Sequence, residues 1–316
     1  MKKIIANTIL SLKEKLGQPF YLKPQTFNAE FSVKIKSLED NNELVVVLPV
    51  PEAIGGQKIA NAPEFNVPPA ITGAESAYGN NYAAWKLVMK KNEEIEIKEK
   101  FTVSANPSLG IQDKEHNVDN YKKDENYKLY CRANNFIHPD GGRIKALAKK
   151  ITGQEGDVIK ILKAINGYVA GNLKYGRPIE GLYSDLNAIA NPETDCGGFA
   201  SLYTSLAIAS GIPSRIVSGF WAGYENNAMH AWAESMLPDG TWLPVDPATE
   251  QLRKLGRTKK FGGFGKIGSD RMIMSKGCDL SFTIGALNFR AGILQNPLIK
   301  SNKGEKSVQS KNIFIT

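Results

Sequence analysis

A cysteine set where a turn gives way to a helix constrains this chain more than any other feature. The stretch Asp195-Cys196-Gly197-Gly198-Phe199-Ala200-Ser201-Leu202-Tyr203 follows a polar, turn-prone run over 191–195, and apolar residues then recur at Phe199, Leu202, Tyr203, Leu206 and Ala209. Gly211 and Pro213 close the pattern, so the spacing predicts one helix with Cys196 in its first turn. Unpaired N–H groups and the positive end of the helix dipole favour a thiolate at that place. Gly197 and Gly198 keep the approach to the sulfur free of side chains, and the nearby amides are candidate donors to a developing oxyanion.

A base and an acid to orient it follow within 50 residues of the cysteine. Residues 229–236 alternate, with His230, Trp232 and Glu234 on one face and Ala231, Ala233 and Ser235 on the other. Pro238-Asp239-Gly240 is a turn, and 241–246 reads as the returning strand. A loop with an odd number of residues sets Leu237 opposite Thr241 and puts Asp246 on the face of His230, one diagonal step away. An even loop turns Asp246 to the far face. Cys196, His230 and Asp246 are therefore the candidate nucleophile, base and orienting acid, and the hairpin carries its own register test. Only His116, His138 and His230 exist in the chain, and the first two fall in an irregular stretch.

These residues resemble a known family. Asp-Cys-Gly-Gly-Phe-Ala at the nucleophile, Gly211-Ile212-Pro213-Ser214-Arg215-Ile216-Val217-Ser218-Gly219-Phe220 after its helix, His230-Ala231-Trp232-Ala233-Glu234, and Trp242-Leu243-Pro244-Val245-Asp246-Pro247 look like the transglutaminase-like superfamily of cysteine peptidases and acyltransferases. Ser269-Asp270-Arg271-Met272 and Gly277-Cys278-Asp279 resemble the segment that closes bacterial members, so the likeness runs over roughly 143–282. It implies a papain-like catalytic core and carries the family's cysteine, histidine and aspartate onto Cys196, His230 and Asp246. Gly198-Phe199 departs from the polar residue and tyrosine of many relatives, a change at the entrance more than in the chemistry. Gly197, Gly198 and Trp232 are the candidate entrance residues, and Tyr175 is the candidate second oxyanion donor, with an ordinary core tyrosine as the competing reading.

The rest of the chain sets this core behind a β region. Residues 31–36 alternate, 44–50 form a continuous apolar run ending in Pro51, and 85–89 and 95–103 flank a turn. Strands without long intervening helices predict an antiparallel sandwich over 18–105. The expected fold class is thus α+β, a transglutaminase-like core preceded by an all-β sandwich-like domain. Ile5, Ile9, Leu12 and Leu16 make one stripe of an amphipathic helix over 1–17. The Gly-, Pro- and Asn-rich 55–81 reads as an irregular excursion, 106–140 as an interdomain connection, 141–285 as the catalytic domain and 286–316 as a tail whose final Ile-Phe-Ile tucks back.

Composition narrows the function. With 42% apolar and 23% charged residues in 316, this is an ordinary globular chain. No apolar run has the length of a membrane span, no signal-peptide pattern opens the sequence, and a cytoplasmic protein is expected. Cys131, Cys196 and Cys278 form no Cys-x-x-Cys pair and imply neither zinc nor a disulfide framework. Gly263-Phe264-Gly265-Lys266-Ile267-Gly268 spells Gly-x-Gly-x-x-Gly but lacks the strand and helix of a dinucleotide site, and no Ser or Thr follows Lys266 as in a phosphate loop. No cofactor or metal is expected. The net charge of +8 is scattered, densest at Arg253, Lys254, Arg257, Lys259 and Lys260. That cluster is a solvated loop or, in a sharper reading, a rim attracting acidic substrates; nucleic-acid binding is disfavoured because no aromatic residues interleave with the charges.

Together these features point to thiol-dependent acyl transfer at a peptide or carboxamide carbonyl. A cysteine peptidase or amidase is favoured, since no calcium-loop pattern like that of animal transglutaminases is visible. Protein-glutamine transamidation, a non-catalytic binding module retaining the fold, and a structural protein working through its β domain are the alternatives.

Overall fold

The computed structural model describes residues 19–109, 116–285, 287–303 and 308–316. The helix expected over 1–17 lies outside them. Six strands come first: β1 (Gln25–Lys36), β2 (Asn42–Pro49), β3 (Gln57–Phe65), β4 (Ile71–Ala74), β5 (Asn81–Met89) and β6 (Glu94–Ala105). Phe27, Ala29, Phe31, Val33 and Ile35 alternate along β1 and are all buried, which is the period-2 pattern of a strand with one face in a core. β2 differs because both of its faces are covered. Leu44, Val46 and Leu48 join the core between the two sheets, whereas Val45 and Val47 pack against Leu280, Phe282 and Ile284 on the other side. A continuous apolar run is the sequence such a strand requires.

The excursion expected over 55–81 contains β3 and β4. Their sequence hides them for a physical reason: β3 is an edge strand, mostly exposed, carrying Pro63 and two register shifts against β6, so no alternation builds up.

Helices and a second sheet follow: α1 (Glu125–Cys131), α2 (Gly142–Thr152), α3 (Val158–Asn172), α4 (Asp185–Ala190), α5 (Cys196–Ala209), β7 (Ser214–Trp221), β8 (Met229–Met236), β9 (Trp242–Val245), α6 (Pro247–Lys254) and β10 (Arg271–Lys276). The sheet runs β9-β8-β7-β10, antiparallel throughout. α5 is buried on all sides from Gly197 to Ile208, enclosed by α2, α3, α4, α6 and the sheet, and its sequence is apolar all round accordingly. Asp195 caps its start. At its end the Gly211 N–H reaches the Ile208 carbonyl and the Ile212 N–H reaches that of Ala207, a Schellman closure whose left-handed residue, Gly211 at φ 81°, must avoid the Cβ penalty. In the connecting stretch, Tyr121 and Tyr130 are buried, and the Tyr121 hydroxyl donates to the Met236 carbonyl at 2.6 Å.

The chain then returns to the sandwich through β11 (Leu280–Ile284), β12 (Leu287–Ala291), β13 (Leu298–Ser301) and β14 (Val308–Ile315). The two sandwich sheets run β14-β1-β6-β3 and β13-β2-β5-β4. The stretch 286–316 is therefore more than a tail, because each sheet takes one edge strand from it. Its polar composition suits edge strands with one wet face. Among the described residues, no helix is long and apolar enough to cross a membrane.

Candidate active site

The hairpin β8–β9 settles the register question. Ala233 pairs with Val245 and Met236 with Trp242, the Leu237 N–H donates to the Thr241 carbonyl at 2.7 Å, and the turn is the three residues Pro238, Asp239 and Gly240. The odd loop puts Asp246 on the side of His230. Asp246 then leaves the strand as the N-cap of α6, with Pro247 at the first helical position. Its Oδ1 accepts the Thr249 N–H at 2.9 Å, and its Oδ2 lies 2.8 Å from His230 Nε2. With Nε2 taken, Nδ1 is the ring nitrogen left for other partners. Cys196 and His230 line one cavity of about 310 Å³, and Cys196 is partly exposed towards it.

Two aromatic rings pack on the imidazole, and a third residue ties down the His230 backbone. Trp221 lies against the imidazole with ring centroids 4.6 Å apart, Trp232 stacks at 6.0 Å, and the Gln295 side chain donates to the His230 carbonyl at 3.1 Å. Trp232 is fully buried and does not line the cavity. It therefore supports His230 from behind and is not an entrance residue, a correction that follows from its sharing the inward face of β8 with the histidine. Gly198 is likewise no part of the entrance, because it is buried and a Cβ there would meet Thr194 Oγ1 at 2.1 Å. Gly197 does line the cavity, as does Tyr175. Tyr175 leans on Phe199 and has Cys196 among the groups that, after burial, push its hydroxyl above its usual range.

The N-terminus of α5 departs from the sequence expectation in its electrostatics. Asp195 Oδ1 accepts the N–H groups of both Gly197 and Gly198, at 2.9 and 3.3 Å, so those amides are already engaged. Asp195 Oδ2 accepts the Ile179 N–H at 3.1 Å and ties the 178–181 wall of the cavity to the helix start. Burial, with the Asp195 carboxylate next, pushes the Cys196 thiol up to about 12, against the helix terminus and the Ala231 N–H. Burial also lowers His230, aided by Arg271 and Lys260 and opposed by Asp246. Both shifts run towards the neutral thiol and the neutral imidazole, against the thiolate that the helix start by itself favours.

Arg271 is the group that sequence reasoning left without a role. Its Nη2 lies 2.6 Å from Asp246 Oδ2 and 2.8 Å from the Phe261 carbonyl, and its guanidinium sits between the rings of Trp221 and Trp232, 4.5 and 5.1 Å from their centroids. Burial alone would raise the Asp246 carboxyl, but His230, Arg271 and the Thr249 N–H hold it well below the usual range. The glycine-rich stretch finds its use here. A Cβ on Gly262 would stand 2.3 Å from Arg271 Nη2 and 3.1 Å from Asp246 Oδ2, so this backbone closes over the pair. None of residues 253–260 lines the cavity. Arg253 donates to the Gly262 carbonyl, and Lys260 lies over Trp221 and Tyr224.

The transglutaminase-like superfamily description matches residues 145–247, a span that contains Cys196, His230 and Asp246. An uncharacterised protein of Bacillus subtilis (strain 168), YebA, is 25% identical over 169 residues, 46% of this chain and 23% of that protein. The chain thus spans less than a quarter of that relative's length. Among solved structures, a Cytophaga hutchinsonii protein called a "putative cysteine protease" superposes with a TM-score of 0.62 at 14% identity, covering 93% of this chain and 91% of the other. The periplasmic domain of TgpA from Pseudomonas aeruginosa gives 0.43 at 14% identity, covering 77% and 93%. Residues 145–247 thus match the transglutaminase-like superfamily description, and the chain shares its fold with the Cytophaga hutchinsonii protein.

Proposed function

We propose that the chain is a cysteine peptidase or amidase that works by acyl transfer through Cys196. The observation that carries this reading is the 2.8 Å contact of Asp246 Oδ2 with His230 Nε2, beside a cysteine on the wall of the same cavity. As the sulfur attacks a peptide or carboxamide carbonyl, His230 Nδ1 takes the thiol proton and the S–C bond forms. Asp246 holds the ring in the tautomer that leaves Nδ1 open and favours the imidazolium that develops. The oxyanion has two candidate donors, the N–H of Cys196 itself and the Tyr175 hydroxyl, because Asp195 occupies the glycine amides. His230 then protonates the departing amine, the C–N bond breaks and a thioester remains. Water, deprotonated by His230, releases the acid and restores the thiol.

The test uses a denatured protein substrate and a labelled primary amine together, with wild type and Cys196→Ala. Mass spectrometry is expected to find new termini made by wild type alone and no amine incorporation. Amine incorporation without cleavage reassigns the chain to transamidation, and cleavage by Cys196→Ala rejects the thiol mechanism.

A further inference from the structure

β10, which carries Arg271, is the outer strand of the catalytic sheet, and among the described residues no strand pairs with it on the side away from β7. An edge strand leaves a row of N–H and C=O groups without strand partners. Two side-chain amides take up part of that row. Gln57 Nε2 donates to the Ile273 carbonyl at 3.0 Å, while the Ile273 N–H donates to Gln57 Oε1 at 2.8 Å. Asn80 does the same at Lys276, with both hydrogen bonds at 2.8 Å. A carboxamide has the donor and acceptor of a peptide unit, so each amide replaces one unit of a missing strand. Both side chains are buried, and both belong to the stretch 55–81 that reads in the sequence as an irregular excursion. Gln57 Nε2 also donates to the Glu52 carbonyl at 3.0 Å, which fixes the orientation of its amide. Gln57 opens β3 at the foot of a tight turn closed by its backbone pair with Ile54, and Ile54 packs against the cluster of Val217, Trp232, Ile267 and Ile273. The turn therefore stands behind the ring that supports His230.

We propose that Gln57 is a positioning residue for the Asp246–His230 pair, holding Arg271 at the Asp246 carboxylate by pinning Ile273, two residues further along β10. The inference rests on the acyl-transfer reading for what that pair is used for. Arg271 and Ile273 share one face of β10, and both lie against Trp232. The strand is weakly registered at this point. Gly219 faces Ile273, and the pairing of β7 with β10 shifts between Ser218 and Gly219. Loss of the Gln57 amide leaves the Ile273 N–H and carbonyl without partners beside that irregularity, so β10 moves to satisfy them. Arg271 moves with it. Its contacts of 2.6 Å with Asp246 Oδ2 and 2.8 Å with the Phe261 carbonyl are short and directional, and a small displacement of the strand breaks them. His230 then has Asp246 Oδ2 to itself. Lys276 lies beyond the register shift, so Asn80 holds the far end of β10 and not the guanidinium.

The experiment reads the His230 ring itself, by NMR titration of the histidine ring signals, with His230→Ala identifying its own among the three in the chain. The charged groups that bear on this ring are Asp246 at the start of α6, Arg271 on β10, Lys260 and Asp195, and Cys196 shares its cavity. The Gln57 and Asn80 variants leave all of them in place. Gln57→Met removes the amide and keeps the length, and Gln57→Asn keeps the amide but shortens its reach. Both are expected to raise the His230 pKa, Gln57→Met by at least ~0.5 pH unit. Asn80→Ala removes the matching pair at Lys276 and is expected to leave the His230 pKa where it was. In an Arg271→Gln background, Gln57→Met is expected to add no further shift. In the wild type, the Ile273 N–H is expected to exchange with deuterium as slowly as those inside the sheet. An unmoved His230 in both Gln57 variants, an equal shift with Asn80→Ala, a further shift without Arg271, or fast exchange at Ile273 overturns the proposal. Acetylation of Cys196 by p-nitrophenyl acetate, run alongside, separates the two readings. A shifted His230 with no acetylation of the wild type sinks the acyl-transfer mechanism alone, and acetylation with an unmoved His230 sinks the positioning role alone.

Discussion

Arg271 and His230 compete for one oxygen of Asp246. The guanidinium lies 2.6 Å and the imidazole 2.8 Å from the same Oδ2, with Arg271 and Asp246 both almost wholly buried. In this arrangement Arg271 already neutralises the carboxylate, which leaves His230 little reason to hold a proton at rest. Replacing Arg271 with Gln removes that competitor. The His230 pKa is expected to rise and the acid limb of the activity profile to move to higher pH, while stability falls by about 3–5 kcal/mol because a buried charge loses its partner. A pH profile and urea melts of the variant check both, and an unmoved acid limb would show that Arg271 does not act on the histidine.

The pH dependence of the wild type follows from the same neutral pair. His230 is lowered, so it becomes the free base as pH rises through a value below 6.5, and kcat/KM is expected to climb there. Burial pushes the Cys196 thiol up to about 12, so little thiolate is expected between pH 6 and 9. Ultraviolet absorbance near 240 nm during a pH titration should stay flat over that range. A thiolate signal already present at pH 6, lost in Cys196→Ala, would restore the ion pair expected from the helix terminus.

Much of the site was legible because it is local. Cys196 at a helix start and the odd three-residue turn that carries Asp246 to His230 are both set by residues a few positions apart. What escaped is long-range or hidden by partners. Arg271 stands on β10, and nothing in its own strand announces that Asp246 is its partner. Gly197 and Gly198 read as open donors because the sequence does not reveal that Asp195 folds back onto their amides. Trp232 looked like an entrance residue for want of any sign that Arg271 and Ile273 cover it. β3 went unread as an edge strand, whose exposure erases the alternation that marks the interior ones.

Gly262 is a test of close approach. Ala at this position places a Cβ where Arg271 Nη2 stands, so the pair must shift while the fold, held elsewhere, remains. Displacements of about 1 Å in such a site cost on the order of 10²-fold in rate. Gly262→Ala is expected to lose activity on that scale with an unchanged circular dichroism spectrum, and full activity would mean that the glycine-rich cover has no bearing on the site.

Glu99 makes a prediction about stability alone. Both of its carboxylate oxygens are buried without a hydrogen-bond partner on the inner face of β6, and burial holds its pKa well above the ordinary value. The folded state therefore keeps a proton that the unfolded chain releases near pH 4.3. Stability falls as pH rises from there towards the folded pKa. Glu99→Met should remove that slope and gain about 1–3 kcal/mol at pH 8 with little gain at pH 4. Urea unfolding at the two pH values decides it, and an equal gain at both would mean that packing, not ionisation, governs the site.

The most direct test of the account is the intact mass of the protein, quenched in acid during reaction with p-nitrophenyl acetate and mapped by peptide digestion. The expected result is one acetyl group on Cys196 in the wild type, none on Cys131 or Cys278, slow formation in His230→Ala and no adduct in Cys196→Ala. Equal acetylation of all three cysteines, or an adduct that forms as fast without His230, would contradict the assignment of Cys196 as an activated nucleophile.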